Sequence, residues 1–113
     1  MRTNISEFTR QEKSILLYAE DCLVNNLGRM VAIKMNEKDF VNLKRMQEEG
    51  LLHYGRLPWK EIERIHKYFN SLTLPSYYVA FTDEAYTLAW AMRRERADKG
   101  AKELQEMLQK ADD

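Results

Sequence analysis

This 113-residue chain has few of the residues that cross-link or punctuate a small protein. Its one cysteine, Cys22, cannot form an internal disulfide and suits a reducing compartment. Only two prolines and four glycines are present, and no internal repeat, low-complexity tract or linker divides the sequence. No apolar run approaches the roughly 20 residues that a membrane span requires. The opening "MRTNISEFTRQEK" lacks the apolar centre of a signal peptide. A cytoplasmic protein without membrane contact is therefore expected.

Chemical motifs are equally scarce. There is no Gly-rich phosphate loop, no nucleophile elbow and no H-E-x-x-H. The two histidines, His53 and His66, stand apart, and no Cys/His spacing suggests a metal site. Adjacent acids such as Glu48 and Glu49 point apart on a helix and do not make an acid/base pair. No enzyme activity, catalytic residue, metal or cofactor is expected. Net charge is zero, with 18 Lys/Arg against 18 Asp/Glu, so the overall basicity usual in nucleic-acid binders is missing too. Its distribution is uneven: Arg29 to Lys67 carries nine bases against six acids.

What is present is an ordinary globular composition, 44% hydrophobic and 32% charged. It is enough for one domain that buries about two-thirds of its unfolded surface. "TRQE" at 9–12 reads as a capping box opening a helix. Ile15, Leu16, Ala19, Cys22, Leu23 and Leu27 supply its apolar stripe, and Gly28 its stop. "RMVAIKM" reads as a strand. Asn36 caps a second helix whose inner face is Phe40, Leu43 and Met46, with Gly50 at its end. "LLHYGRL" is a second strand. Pro58 suits the first turn of a third helix marked by Trp59, Ile62, Ile65 and Phe69, and "NSLTLPS" connects onward. "YYVAF" is the clearest strand. Thr82 then caps a fourth helix with Ala85, Leu88, Ala89 and Met92 inward. At Gly100 that helix can stop, kink or continue. Beyond it Ala101, Leu104, Leu108 and Ala111 recur by three and four, the spacing of a pairing seam. The sum is an α+β domain over 1–99, a three-stranded antiparallel sheet packed with about four helices, and a helical tail over 100–113 suited to dimerisation.

"LKRMQEEGLLHYGRL" resembles the end of a recognition helix and the first wing strand of a winged helix-turn-helix domain. "YYVAFTDEAYTLAWAMRRERA" is similar to the second wing strand and C-terminal helix of many bacterial regulators. With the first helix and "MVAIKM", the likeness covers about three-quarters of the chain. It is atypical in having one helix before the wing, a helix inserted in the wing, and Ala85 where the family often has glycine. The resemblance implies duplex DNA as a partner, bound by a dimeric transcriptional regulator.

With Phe40, Leu43 and Met46 inward, Lys38, Asn42 and Arg45 lie along the outer face of the second helix. Asn can pair with adenine and Arg with guanine in the major groove. The same face also reads as solvated, with Glu48 and Glu49 opposing phosphate. Arg56, Lys60, Arg64 and Lys67 form a second stripe that can track the backbone, or serve as a charged helix surface. Arg93, Arg94 and Arg96 fit best as complements to a helix C-terminal dipole. The aromatics Tyr77, Tyr78, Phe81, Tyr86 and Trp90 fit a core or a dimer surface better than base stacking. Cys22 reads as a buried inert thiol. The alternative function is a protein-interaction adaptor or inhibitor on the same scaffold, with Trp59, Tyr68, Phe69 and Trp90 as partner anchors.

Overall fold

The computed structural model describes residues 1–66 and 76–112. Lys67, Tyr68, Phe69 and the "NSLTLPS" connection, apart from Ser76, lie outside them, as do the side chains of Ile65 and His66. The element order is a 3-10 turn at Ile5–Glu7, α1 (Arg10–Asn25), β1 (Arg29–Met30), a 3-10 turn at Ala32–Lys34, α2 (Glu37–Glu48), β2 (Leu52–Arg56), α3 (Trp59–His66), β3 (Tyr77–Phe81) and α4 (Asp83–Asp112). The three strands form one antiparallel sheet in the order β1-β3-β2. This is an α+β, winged-helix-like arrangement.

Local signals account for most of the element ends. At the start of α1 the Thr9 hydroxyl accepts from the Glu12 amide, and the Glu12 carboxylate accepts from the Thr9 amide. Asn36 and Asp39 make the same reciprocal pair at the start of α2. After α2, Gly50 turns left-handed at φ +82°, Leu51 N–H donates to Met46 and Gly50 N–H to Gln47. Those two bonds satisfy carbonyls that the helix end would leave bare. Thr82 closes β3 and opens α4: its hydroxyl donates to the Leu51 carbonyl at 2.7 Å and accepts from the Ala85 amide at 3.3 Å. One side chain thus ties the start of α4 to the turn between α2 and β2.

Ile15, Leu16, Ala19 and Cys22 of α1, Leu43 and Met46 of α2, Leu52 and Val79 of the sheet, and Ala85, Leu88, Ala89 and Met92 of α4 share one core. The inner rows of α1, α2 and α4 are thus buried as their spacing predicts, with Phe40 only half-buried.

Two expectations need correction. "RMVAIKM" is not a full strand: only Arg29–Met30 joins the sheet, opposite Tyr78 and Tyr77. Val31 N–H donates to the Tyr18 hydroxyl instead of to a strand, and Lys34 and Met35 bond back to Val31 and Ala32 in a 3-10 turn. The β-branched Ile33 consequently stands in solvent. Leu27 does not extend the α1 stripe. The helix stops at Asn25, and Leu27 itself is left-handed at φ +54° and 84% exposed. Gly28 follows at φ +78°, so two residues, not the glycine alone, turn the chain toward β1. At Gly100, where the sequence leaves a stop, a kink or continuation open, α4 continues without a break, so residues 100–112 belong to one 30-residue helix about 45 Å long.

Candidate nucleic-acid interface

The capping pair at Asn36 and Asp39 fixes where α2 starts, and burial of Leu43 and Met46 fixes its rotation. Lys38, Val41, Lys44, Arg45 and Glu48 are left exposed as the outer ridge. Lys38 and Arg45 therefore share a face as the sequence predicts, whereas Asn42 is half-buried at its margin. Lys44 and Val41 were not singled out by residue type, yet they belong to the same ridge. Periodicity alone could have found them, since Val41 lies opposite the buried row and Lys44 on its flank.

Arg45 is not wholly given to solvent. Its guanidinium lies 3.9 Å from Glu12 and 3.8 Å from Glu49, the outer edge of a larger charge cluster. At the centre of that cluster Arg2 donates to Glu12 at 2.6 and 3.1 Å and to Glu49 at 2.7 and 3.0 Å. The Arg2 guanidinium also sits 4.1 Å from the Phe8 ring centroid. Burial by itself would push the Glu12 carboxyl upward. Hydrogen bonds from Arg2 and the Thr9 amide outweigh it and hold the group at about 2. The Glu12 hydrogen bond raises the Arg2 guanidinium further above its already high ordinary value. This clamp joins the N-terminal segment, the front of α1 and the end of α2. Sequence reasoning missed it because Arg2 and Glu49 are 47 positions apart.

The wing side is reached through aromatics. Phe40 of α2 packs on Tyr77 of β3 with ring centroids 5.0 Å apart, and the Arg56 guanidinium lies 6.0 Å from the same Tyr77 ring. Arg56, exposed at the end of β2, is thereby brought near the N-terminal half of α2. Lys60 is exposed on α3. Arg64 donates twice to Glu61, at 2.9 and 3.1 Å, and Glu61 in turn lies 3.6 Å from Arg29 of β1. The Arg64 bonds hold the Glu61 carboxyl below its ordinary range. Lys67 falls outside the described residues. The structure thus puts Lys38, Lys44 and Arg45 on one ridge of α2, and carries Arg56, Lys60 and Arg64 on the β2–α3 arm.

Of the proposed partner anchors, Trp59 is 69% exposed, its indole N–H donating to Glu63 at 2.8 Å, and Trp90 is 63% exposed on α4. Among the described residues no ring contact joins them. Tyr68 and Phe69 lie outside those residues.

The arginines of α4 have structural partners. Arg93 pairs with Glu20 and donates to the Leu17 carbonyl of α1, Arg96 reaches Ser14, and Arg94 pairs with Asp98 one turn on. Lys13 and Glu95, 2.9 Å apart, complete this polar seam between α1 and α4. Beside it Arg10, Lys13, Ser14, Glu95, Arg96 and Lys99 line an open cleft of about 520 Å³. The sequence held no sign of that basic cleft, because it arises only where two distant helices meet.

Elsewhere the polar groups are structural. Burial pushes the Cys22 thiol up, against a hydrogen bond from Tyr18, and burial pushes the Tyr18 hydroxyl up to about 12. His53 Nε2 lies 2.9 Å from the Tyr78 hydroxyl across the sheet. Among the described residues no group of three His, Cys, Asp or Glu is placed to hold a metal, and no helix is long and apolar enough to cross a membrane. Set against protein-family models, characterised proteins and solved structures, the chain matches none.

Proposed function

We propose that this protein is a winged-helix transcriptional regulator that binds duplex DNA, with α2 directed to the major groove and the β2–α3 arm to the backbone. One observation carries the reading. A short helix framed by a three-stranded sheet in the order β1-β3-β2 turns a ridge of Lys38, Val41, Lys44 and Arg45 outward. A single 3-10 turn at Ala32–Lys34 stands where the winged-helix pattern has a further helix. Lysine and arginine on this ridge suit guanine edges, and Val41 suits a thymine methyl. Asn42, at the margin, reaches an adenine only if the groove wall comes to it. Arg56 and Lys60 supply phosphate contacts, which position rather than specify. This role is non-enzymatic and goes with a cytoplasmic location, to which the single buried thiol is suited.

The test is fluorescence anisotropy with random-sequence duplex across a salt series. Each phosphate contact contributes a log–log slope of about −0.9. Lys38→Ala combined with Lys44→Ala weakens binding at all salt concentrations, and Arg56→Ala with Lys60→Ala flattens the slope by about two contacts. Absence of duplex affinity at low salt overturns the proposal.

A protein-interaction module on the same scaffold is favoured by a different observation. Trp59 and Trp90 expose large aromatic surfaces, while Glu37 and Glu48 share the α2 ridge with its bases. In that case Trp59→Ala or Trp90→Ala abolishes capture of a protein partner, and the lysine pair on α2 is neutral.

A further inference from the structure

The outer half of α4 carries a stripe that the domain does not use. Trp90, Arg94, Ala97, Ala101, Leu104, Leu108 and Ala111 follow one another at alternating steps of four and three. At 100° per residue this stripe lies roughly 150° around the helix from the buried row Ala85, Leu88, Ala89 and Met92. Leu104, Met107 and Leu108 are each at least half exposed. A partner can therefore cover the stripe without disturbing the seam with α1.

We infer that the stripe pairs with the same helix of a second copy, running antiparallel, with Arg94 opposite Ala111, Ala97 opposite Leu108, and Ala101 opposite Leu104. Two features of the sequence choose this arrangement over a parallel one. The first is volume. In the antiparallel register each apolar layer sets an alanine against a leucine, so the layers are evenly filled. A parallel in-register pair stacks alanine on alanine at 97 and 101 and leucine on leucine at 104 and 108, leaving gaps beside crowding. The second is charge. Residues 93–102 hold five bases and two acids, whereas 103–112 hold three acids and one base. Antiparallel pairing lays the basic half on the acidic half, twice over by symmetry. Arg94, the charged member of the stripe, then meets the small Ala111 and has Asp112 beside it. Parallel pairing sets Arg94 against Arg94 in one layer, and like charges at that distance repel. The paired region, 94–111, is about 27 Å long. Trp90, one turn nearer the domain, continues the contact toward the body of the molecule. The pairing does not depend on DNA binding, and the two are separable by experiment.

The test uses the full chain without DNA. Sedimentation equilibrium across micromolar concentrations gives a monomer–dimer equilibrium, and a monomer throughout overturns the inference. Direction is read by mixing the Ala97→Cys protein with the Leu108→Cys protein under mild oxidation. The antiparallel register gives the mixed disulfide and leaves each protein alone uncrosslinked, because two copies of residue 97 then lie about 16 Å apart along the axis. Cross-linking of each protein with itself means a parallel pair and overturns the register. Leu104→Glu combined with Leu108→Glu raises the dissociation constant at least tenfold while the thermal transition of the domain persists, since both side chains lie outside its core. An unchanged constant in that variant also overturns the inference.

Discussion

Arg2 Nη2 lies 2.6 Å from Glu12 Oε2, and the Glu12 side chain is only 2% exposed. A buried carboxylate is tolerated because both of its oxygens accept hydrogen bonds: Oε2 from Arg2, and Oε1 from Arg2 and from the Thr9 amide of its own capping box. Removing one partner of such a pair leaves the other charge buried without compensation. Arg2→Met is therefore expected to destabilise the fold by about 3 kcal/mol, and Arg2→Lys by less, since an ammonium cannot grip Glu12 and Glu49 together. Urea denaturation of the three proteins measures this. A change below about 0.5 kcal/mol for Arg2→Met would show that the clamp is ornamental.

The same pair sets an acid limit. Glu12 is lowered from 4.5 to about 2 in the folded state, so folding strengthens its hold on the ionised form. The resulting stability is fully present above pH 4.5 and is lost as pH falls through about 2. The urea midpoint should decline across that window, and Glu12→Gln should show a shallower decline there. Equal acid slopes in the two proteins would assign the effect to other carboxylates.

How much of this was legible beforehand follows from the range of each interaction. The starts of α1 and α2 are written in four-residue stretches, "TRQE" and "NEKD", because both partners of each capping pair lie in one turn. The inner rows of α1 and α4 are equally local, being periodic. β1 was misread because Val31 and Ile33 favour strands, but the Tyr18 hydroxyl and the 3-10 turn take up the backbone there. At the candidate site, the outward position of Lys38 and Arg45 followed from the burial of Leu43 and Met46. The approach of Arg56 to α2 through Tyr77 did not, for it requires β3 to lie between β1 and β2. The Arg2 clamp and the α1–α4 seam are tertiary in the same sense.

Leu27 offers a test of backbone strain. It is a branched residue in the left-handed region, and its side chain is almost wholly in solvent. Little packing is lost by replacing it, and the strain of about 1 kcal/mol is relieved by a residue at ease there. Leu27→Asn and Leu27→Gly are expected to raise stability by about 0.5 kcal/mol, less for glycine because its unfolded chain is freer. A lowered melting temperature for both would mean that Leu27 makes a contact that its exposure conceals.

Gly100 gives the opposite case. It sits inside α4, and beyond its chain neighbours and the local helix backbone nothing lies within 4 Å of where a Cβ would stand. Glycine in a helix interior costs about 1 kcal/mol relative to alanine, and nothing here demands it. Gly100→Ala should raise the helical circular dichroism signal and its persistence on heating. No gain in either would indicate that the outer half of α4 is already held by something other than its own propensity.

Gly55 and Tyr78 are matched across the sheet. They are register partners of β2 and β3, and the Tyr78 ring lies over the glycine so closely that a Cβ there would stand 2.8 to 3.0 Å from three of its atoms. Lying in that position, the ring reaches His53, with its hydroxyl 2.9 Å from Nε2. Gly55→Ala must shift the ring and so disturb this bond, at an expected cost of about 1 kcal/mol. The cost should largely vanish in a Tyr78→Ala background, where there is no ring to displace. A double-mutant cycle therefore gives a coupling of about 1 kcal/mol, against the few tenths that independent sites show. Tyr78→Phe isolates the hydroxyl and should cost less than Gly55→Ala, because it removes one exposed hydrogen bond and leaves the ring in place. Additive effects of Gly55→Ala and Tyr78→Ala would mean that the ring only rests near the glycine and that the strand tolerates a side chain there.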